Sequence, residues 1–243
     1  MPLIAGVDGR RGGWAVALVT LGTRRPIVTW HVVPGQDAGG FRAVLELARG
    51  ADAVAVDCPI GLPAHDWRPC DLLAKRRLGR GSARVFLAPP RPVLAASTYP
   101  EARVVARDLL GGRGVSAQSY GLRRVVLAVD AVLRGWGVPG GPRGAELPVR
   151  ADVVEVHPEL SFMALAGRAP GDPLPSKKSP AGRAARLAAL AGWVPGATGE
   201  APDGDDGLDA LAAAWSAWRR ARGVAETLGG ERDEYGLPMR IVV

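Results

Sequence analysis

The sequence predicts an α/β domain built on a mixed sheet with flanking helices, and three observations carry that class. The first sixty residues hold three short apolar runs, Leu3 to Val7, Trp14 to Val19 and Ile27 to Val33, joined by short turn-rich links. Such links make an antiparallel meander. A helical stretch from Phe41 to Ala48 then leads into a fourth apolar run, Ala53 to Val56, and a strand entered through a helix often lies parallel to an earlier one. Beyond a fifth run, Asp152 to Val156, helices close the chain.

Taken in order, the first run ends at Asp8-Gly9, and Gly9 to Gly13 and Gly22 to Pro26 supply the turns of the meander. Phe41 to Ala48 has apolar residues at helical spacing and stops before Gly50. Ala53 to Val56 stops at Asp57, after which Pro59, Pro63, Pro69, Pro89, Pro90, Pro92 and Pro100 punctuate short helical stretches. Tyr120 to Leu133 reads as a longer helix and Gly135 to Pro148 as a loop. This region, approximately 64–148, is an insertion into a single domain spanning 1–243. The closing helices are Ala181 to Ala191 and Asp206 to Arg222.

Composition narrows the function. The chain has 243 residues, 47% hydrophobic and 23% charged, as a folded globular protein requires. Two cysteines, Cys58 and Cys70, exclude a disulfide framework and a cysteine-rich zinc site. No apolar run is long enough to span a bilayer, and Met1 to Asp8 lacks the basic front and cleavage site of a signal peptide. The expectation is a cytoplasmic protein with no membrane partner. The net charge is +7, and Asp66 to Arg91 holds seven basic residues against two acids, so five of the seven net charges sit there. An Arg-rich cluster of this kind meets phosphates, or is simply a solvated helix face. Conversely, Glu200, Asp203, Asp205, Asp206 and Asp209 fall within ten residues that contain no Lys or Arg. Carboxylates so crowded repel one another unless a cation or open solvent offsets them.

Three of the β-runs end in or near an acid: Asp8, Asp57 and Glu155. On parallel neighbours these emerge at one sheet edge, where open α/β folds place ligand sites. At a strand spacing of about 4.8 Å, adjacent carboxylates can share a divalent ion, and Asp206 and Asp209 share one helix face. Oxygen donors suit Mg²⁺ or Mn²⁺. Each acid also has an ordinary use: Asp8-Gly9 and Asp57 before Cys58-Pro59 as turn formers, and Asp205, Asp206 and Asp209 as helix N-terminal acids. Glu155 between valines needs a partner or a strand end. His157 is a proton shuttle or a structural histidine. Lys177, Lys178, Ser82 and Arg84 meet phosphates or solvent. Trp215 and Trp218, i and i+3, fit a core better than a stacking platform.

These residues fall into ordered strings: Gly6-Val7-Asp8-Gly9 with Gly13-Trp14, Val56-Asp57-Cys58-Pro59-Ile60-Gly61-Leu62-Pro63, Glu155-Val156-His157-Pro158-Glu159-Leu160-Ser161-Phe162, Ser176-Lys177-Lys178, and Asp205-Asp206-Gly207-Leu208-Asp209-Ala210. Together they resemble the DUF429 family of predicted RNase H-like nucleases over nearly the whole chain. The resemblance implies an RNase H-like sheet of order 3-2-1-4-5, with strand 2 antiparallel and the insertion between strands 4 and 5. It implies catalytic, metal-binding roles for Asp8, Asp57, Asp206 and Asp209, with Glu155 as an additional acid from strand 5. The implied activity is Mg²⁺- or Mn²⁺-dependent hydrolysis of DNA or RNA by a metal-activated water. Arg76, Arg77, Arg80, Ser82, Arg84, Lys177 and Lys178 are then the candidates for binding nucleic acid. Two alternatives stay open: a phosphohydrolase or phosphotransferase acting on a small phosphorylated ligand, and a non-catalytic nucleic-acid-binding module using Arg76, Arg77 and Arg80.

Overall fold

In the computed structural model, the described residues are 1–22, 25–135, 152–196, 201 and 204–243. The apolar runs become strands Leu3–Arg10 (β1), Gly13–Thr20 (β2) and Ile27–Pro34 (β3), paired antiparallel in sequence. Helix Ala38–Leu47 (α1) follows, started by Asp37, whose Oδ1 accepts the Gly40 N–H at 2.8 Å. It delivers the chain to Ala53–Asp57 (β4), parallel to β1. Asp152–Val156 (β5) lies parallel on the far side of β4. The order β3-β2-β1-β4-β5 is therefore the one that the family resemblance implies.

Between β4 and β5 stand Pro69–Leu78 (α2), a 3₁₀ turn at Gly79–Arg84, Arg91–Ala95 (α3), Tyr99–Leu109 (α4), Ala117–Gly121 (α5) and Arg123–Arg134 (α6). The single helix expected over Tyr120 to Leu133 is thus two, broken at Leu122. Of the expected loop at Gly135 to Pro148, residues 136–148 lie outside the described residues. After β5 come Pro158–Leu165 (α7), Pro180–Trp193 (α8) and Asp206–Ala221 (α9).

One expectation is overturned at the end of the chain. Helices do not close it: Thr227–Arg232 (β6) and Pro238–Val242 (β7) form a hairpin, and β7 pairs parallel with β5 to give a seven-stranded sheet. The hairpin turn is tied to the helices between β4 and β5. Arg91 bonds Asp130 and Asp233, each at 2.8 Å, and Tyr235 lies under the guanidinium groups of both Arg91 and Arg134, each 4.5 Å from the ring centre.

Each face of the sheet carries its own core. On one, the small residues Ala210, Ala213, Ala214 and Ala217 of α9 pack over Ile4, Ala17 and Ala55. On the other, Phe41 and Val44 of α1 and Val126 and Val129 of α6 cover Val7, Val16 and Val56. The close approach of α9 depends on Gly6: a Cβ there would stand 2.0 Å from the Ala210 carbonyl oxygen and 2.2 Å from the Ala214 nitrogen. Among the described residues no helix is long and apolar enough to cross a membrane.

Candidate metal centre

Strand pairing decides which acids meet. β1 and β4 run parallel with Asp8 opposite Asp57, and register partners in a sheet present their side chains to the same face. That face is the one covered by α9, since Gly6, two residues before Asp8, is where the helix crosses. The carboxyls of Asp8 and Asp57 lie near enough for each to act on the other's ionisation. Two carboxyls so placed cannot both be charged without a compensating cation.

The third acid comes from the first turn of α9. Asp209 donates its backbone N–H to the Asp205 carbonyl at 2.9 Å, so it is already helical, and its side chain is buried. Asp206 is one turn nearer solvent, its Oδ2 4.0 Å from Arg10 Nε. The electrostatics mark Asp8, Asp57 and Asp209 as strained. Burial raises the Asp8 pKa well above the usual carboxylate range, and the neighbouring charges of Asp57, Asp209 and Asp206 raise it further. Burial also raises Asp57, against the pull of His157 and Lys177. Asp209 is pushed up to about 6 by burial, opposed by Lys177, whose Nζ sits 2.5 Å from its Oδ2.

The donor set is therefore carboxylate oxygen, which fits a hard divalent cation. Among the described residues, no three His, Cys, Asp or Glu side chains are drawn in around one point. Lys177 is the positive charge that the acids hold, and it occupies an Asp209 oxygen.

Glu155, expected as an additional ligand, is not brought to this group. Its register partner on β4 is Val56 rather than Asp57, and that offset of one residue turns its side chain to the opposite face. There it is buried and accepts from the Ile60 N–H at 2.8 Å and from the guanidinium of Arg68. Arg68 also faces Asp71 at 3.6 Å, and Asp71 in turn accepts the Ala88 N–H at 2.8 Å. Burial raises the Glu155 pKa and Arg68 pulls it back. The network ties α2 to β5; nothing in the sequence around Arg68 signals it.

The basic candidates divide in the same way. A cleft of about 300 Å³ has Asp57 and Asp209 on one side and Arg84, His157, Lys177 and Lys178 among its other walls. Arg84 is fixed there by Glu159 at 2.6 Å and the Leu174 carbonyl at 2.8 Å. Arg77 pairs instead with Glu226 at 2.7 Å and Arg80 with Asp172 at 2.9 Å. The Ser82 carbonyl accepts from Lys75 at 2.8 Å, and Arg76 is exposed on α2. None of these four lines the cleft. The sequence did not single out Arg10, which lies in the turn after Asp8, or Phe86, which carries no polar signal.

Comparison with known proteins adds three findings. The family model described as "Protein of unknown function (DUF429)" matches residues 6–234. No curated protein matches. Among solved structures the chain is similar to a Thermus thermophilus RuvC structure, with a TM-score of 0.42 and 18% identity over 91% of this chain and 97% of that one. It is also similar to T. thermophilus RuvC in complex with Holliday junction substrate, with a TM-score of 0.41 and 18% identity over 92% and 98% of the two chains.

Proposed function

We propose that this chain, which belongs to the DUF429 family, is a nuclease that hydrolyses a phosphodiester bond of DNA or RNA with the help of Mg²⁺ or Mn²⁺. One observation carries the reading: Asp8 and Asp57 meet in register on adjacent parallel strands, with Asp209 facing them from α9, at the edge of a cleft that also presents Arg84, Lys177 and Lys178. Acids alone bind cations and bases alone bind phosphates. Their juxtaposition is what phosphoryl hydrolysis needs.

Asp8 and Asp57 are the residues to hold one ion, with Asp209 and Asp206 reaching from the helix side. Held there, a divalent ion would supply Lewis-acid chemistry, polarising a phosphoryl oxygen and making water easier to deprotonate. The protein's own groups do the rest. Arg84, anchored by Glu159, and Lys178 orient the anionic backbone. Lys177 meets developing negative charge on the phosphate when it leaves Asp209. His157, whose Nε2 lies 3.3 Å from the Arg84 carbonyl and whose Nδ1 has no partner among the described residues, holds or delivers a proton. Water adds to phosphorus, the P–O ester bond breaks, and its electron pair leaves on the departing oxygen, which takes up a proton.

The test is single-turnover incubation with labelled single-stranded, duplex and branched DNA and RNA in Mn²⁺, beside EDTA and Asp57→Asn controls. Metal-dependent cutting lost in both controls is expected. Cutting that survives Asp57→Asn, or its absence on every polymer, sinks the proposal.

A further inference from the structure

A second cavity, of about 190 Å³, adjoins the acidic pair, and both Asp8 and Asp57 line it. Its chemistry is unlike that of the basic cleft. Trp14, Pro59, Phe86, Leu122 and Val126 make it mostly apolar, and Gln36 is its amide. Asp57 and Phe86 belong to both spaces, so the two open on either side of one ridge. One polar group in this wall can meet a ligand. Gln36 donates from Nε2 to the Arg10 carbonyl at 2.9 Å, which fixes the amide and leaves its oxygen as an acceptor.

A flat, largely apolar ligand with a donor at its edge suits this wall, and an attached phosphate suits the metal proposed at Asp8 and Asp57. We propose that the cavity takes the base of an unpaired nucleotide whose phosphate lies at Asp8 and Asp57, while the continuing backbone runs into the cleft of Arg84, Lys177 and Lys178. This deepens the nuclease reading and rests on it for the placement of the phosphate. The substrate class follows from geometry. A space of about 190 Å³ has room for one base and none for its paired partner, so the nucleotide is single-stranded or displaced from its helix.

The test separates the base from the backbone. Binding in Ca²⁺ is measured for a single-stranded DNA pentanucleotide and for an all-abasic pentanucleotide of equal charge, using the whole chain and its Leu122→Trp variant. Leu122 lies at the cavity rim with 36% exposure, so a larger ring there fills the space at little cost to the core. In parallel, cutting of a DNA hairpin in Mn²⁺ is mapped to loop or stem. Expected are about tenfold tighter binding of the base-bearing oligonucleotide, loss of that preference in Leu122→Trp with abasic binding unchanged, and cuts confined to the loop. Phe86→Ala provides a second variant with the same expected loss of preference. Equal binding of the two oligonucleotides, a preference that survives both substitutions, or stem cutting as fast as loop cutting overturns the base pocket. A base preference that collapses in both variants, with no cutting of any polymer, instead overturns the nuclease reading and leaves the pocket standing.

Discussion

Asp8 stands opposite Asp57 across the β1–β4 ladder, on the face that α9 covers, and the charge of Asp57 helps to raise the Asp8 pKa. The pair is destabilised for the sake of what it can bind. Replacing Asp8 by Asn removes a buried carboxyl that must take up a proton beside Asp57, so above the usual carboxylate range the metal-free protein is expected to gain stability, on the order of 1 kcal/mol for each pKa unit of strain relieved. The same substitution is expected to lower cleavage by about 10²-fold or more. Thermal unfolding in EDTA and single-turnover rates in Mn²⁺ read the two effects, and a variant that loses stability and activity together contradicts the assignment.

The raised acids also fix a pH dependence. Between the unfolded carboxylate value near 4 and the folded value of about 6 for Asp209, the native state binds more protons than the unfolded chain. Stability therefore falls as pH rises through that window, and Asp8 and Asp57, also raised, act in the same direction. In EDTA the melting temperature is expected to be higher at pH 5 than at pH 7.5. Mn²⁺ is expected to stabilise more at pH 7.5, where protons no longer compete with it. Melting curves at the two pH values, with and without the ion, check both statements.

Glu155 provides a contrast among the acids. Because Arg68 is fully buried beside it, Glu155→Gln leaves a guanidinium short of charge and is expected to cost about 3 kcal/mol. Metal affinity per folded molecule is expected to stay within about twofold. Denaturant unfolding together with Mn²⁺ titration distinguishes this scaffold role from that of a ligand, whose loss weakens the ion.

Basic residues that line the cleft are expected to behave differently from those that are ion-paired elsewhere. Lys178→Ala removes a phosphate contact and is expected to lower the salt slope of nucleic-acid binding by about 1. Arg80→Ala, which breaks an exposed pair with Asp172, is expected to leave that slope unchanged. Binding of a labelled oligonucleotide at several salt concentrations settles the pair.

What the sequence disclosed follows the physics of each element. Strands β1 to β5 are continuous apolar runs bounded by turn residues, so both their existence and the α/β class were readable. The β6–β7 hairpin was not: Leu228 is followed by Gly229, Gly230, Glu231 and Arg232, with no apolar alternation to mark a strand. Helix α7 was hidden because its apolar residues face inward on several sides, Leu160, Phe162 and Met163 among them, leaving little periodic contrast. At the site, Asp8, Asp57 and Asp209 could be picked out as strand-end and helix-start acids. Glu155 could not be told from them, because the difference is one residue of register, and register is a property of two strands together. The Lys177–Asp209 and Arg68–Glu155 pairs join residues 32 and 87 positions apart, a separation that no local pattern encodes.

The bare backbone at Gly6 sets how high α9 rides above the sheet, and Asp209 rides with it. In the proposed metal centre the helix height therefore acts on ionic radius. Oxygen ligands sit about 2.0–2.1 Å from Mg²⁺ and about 2.3–2.6 Å from Ca²⁺, a difference smaller than the displacement that one methyl group at position 6 would force. Selection between a small and a large ion is thus delegated to a residue that touches neither, and the ratio of Mg²⁺ to Ca²⁺ affinity in Gly6→Ala is where that delegation would show.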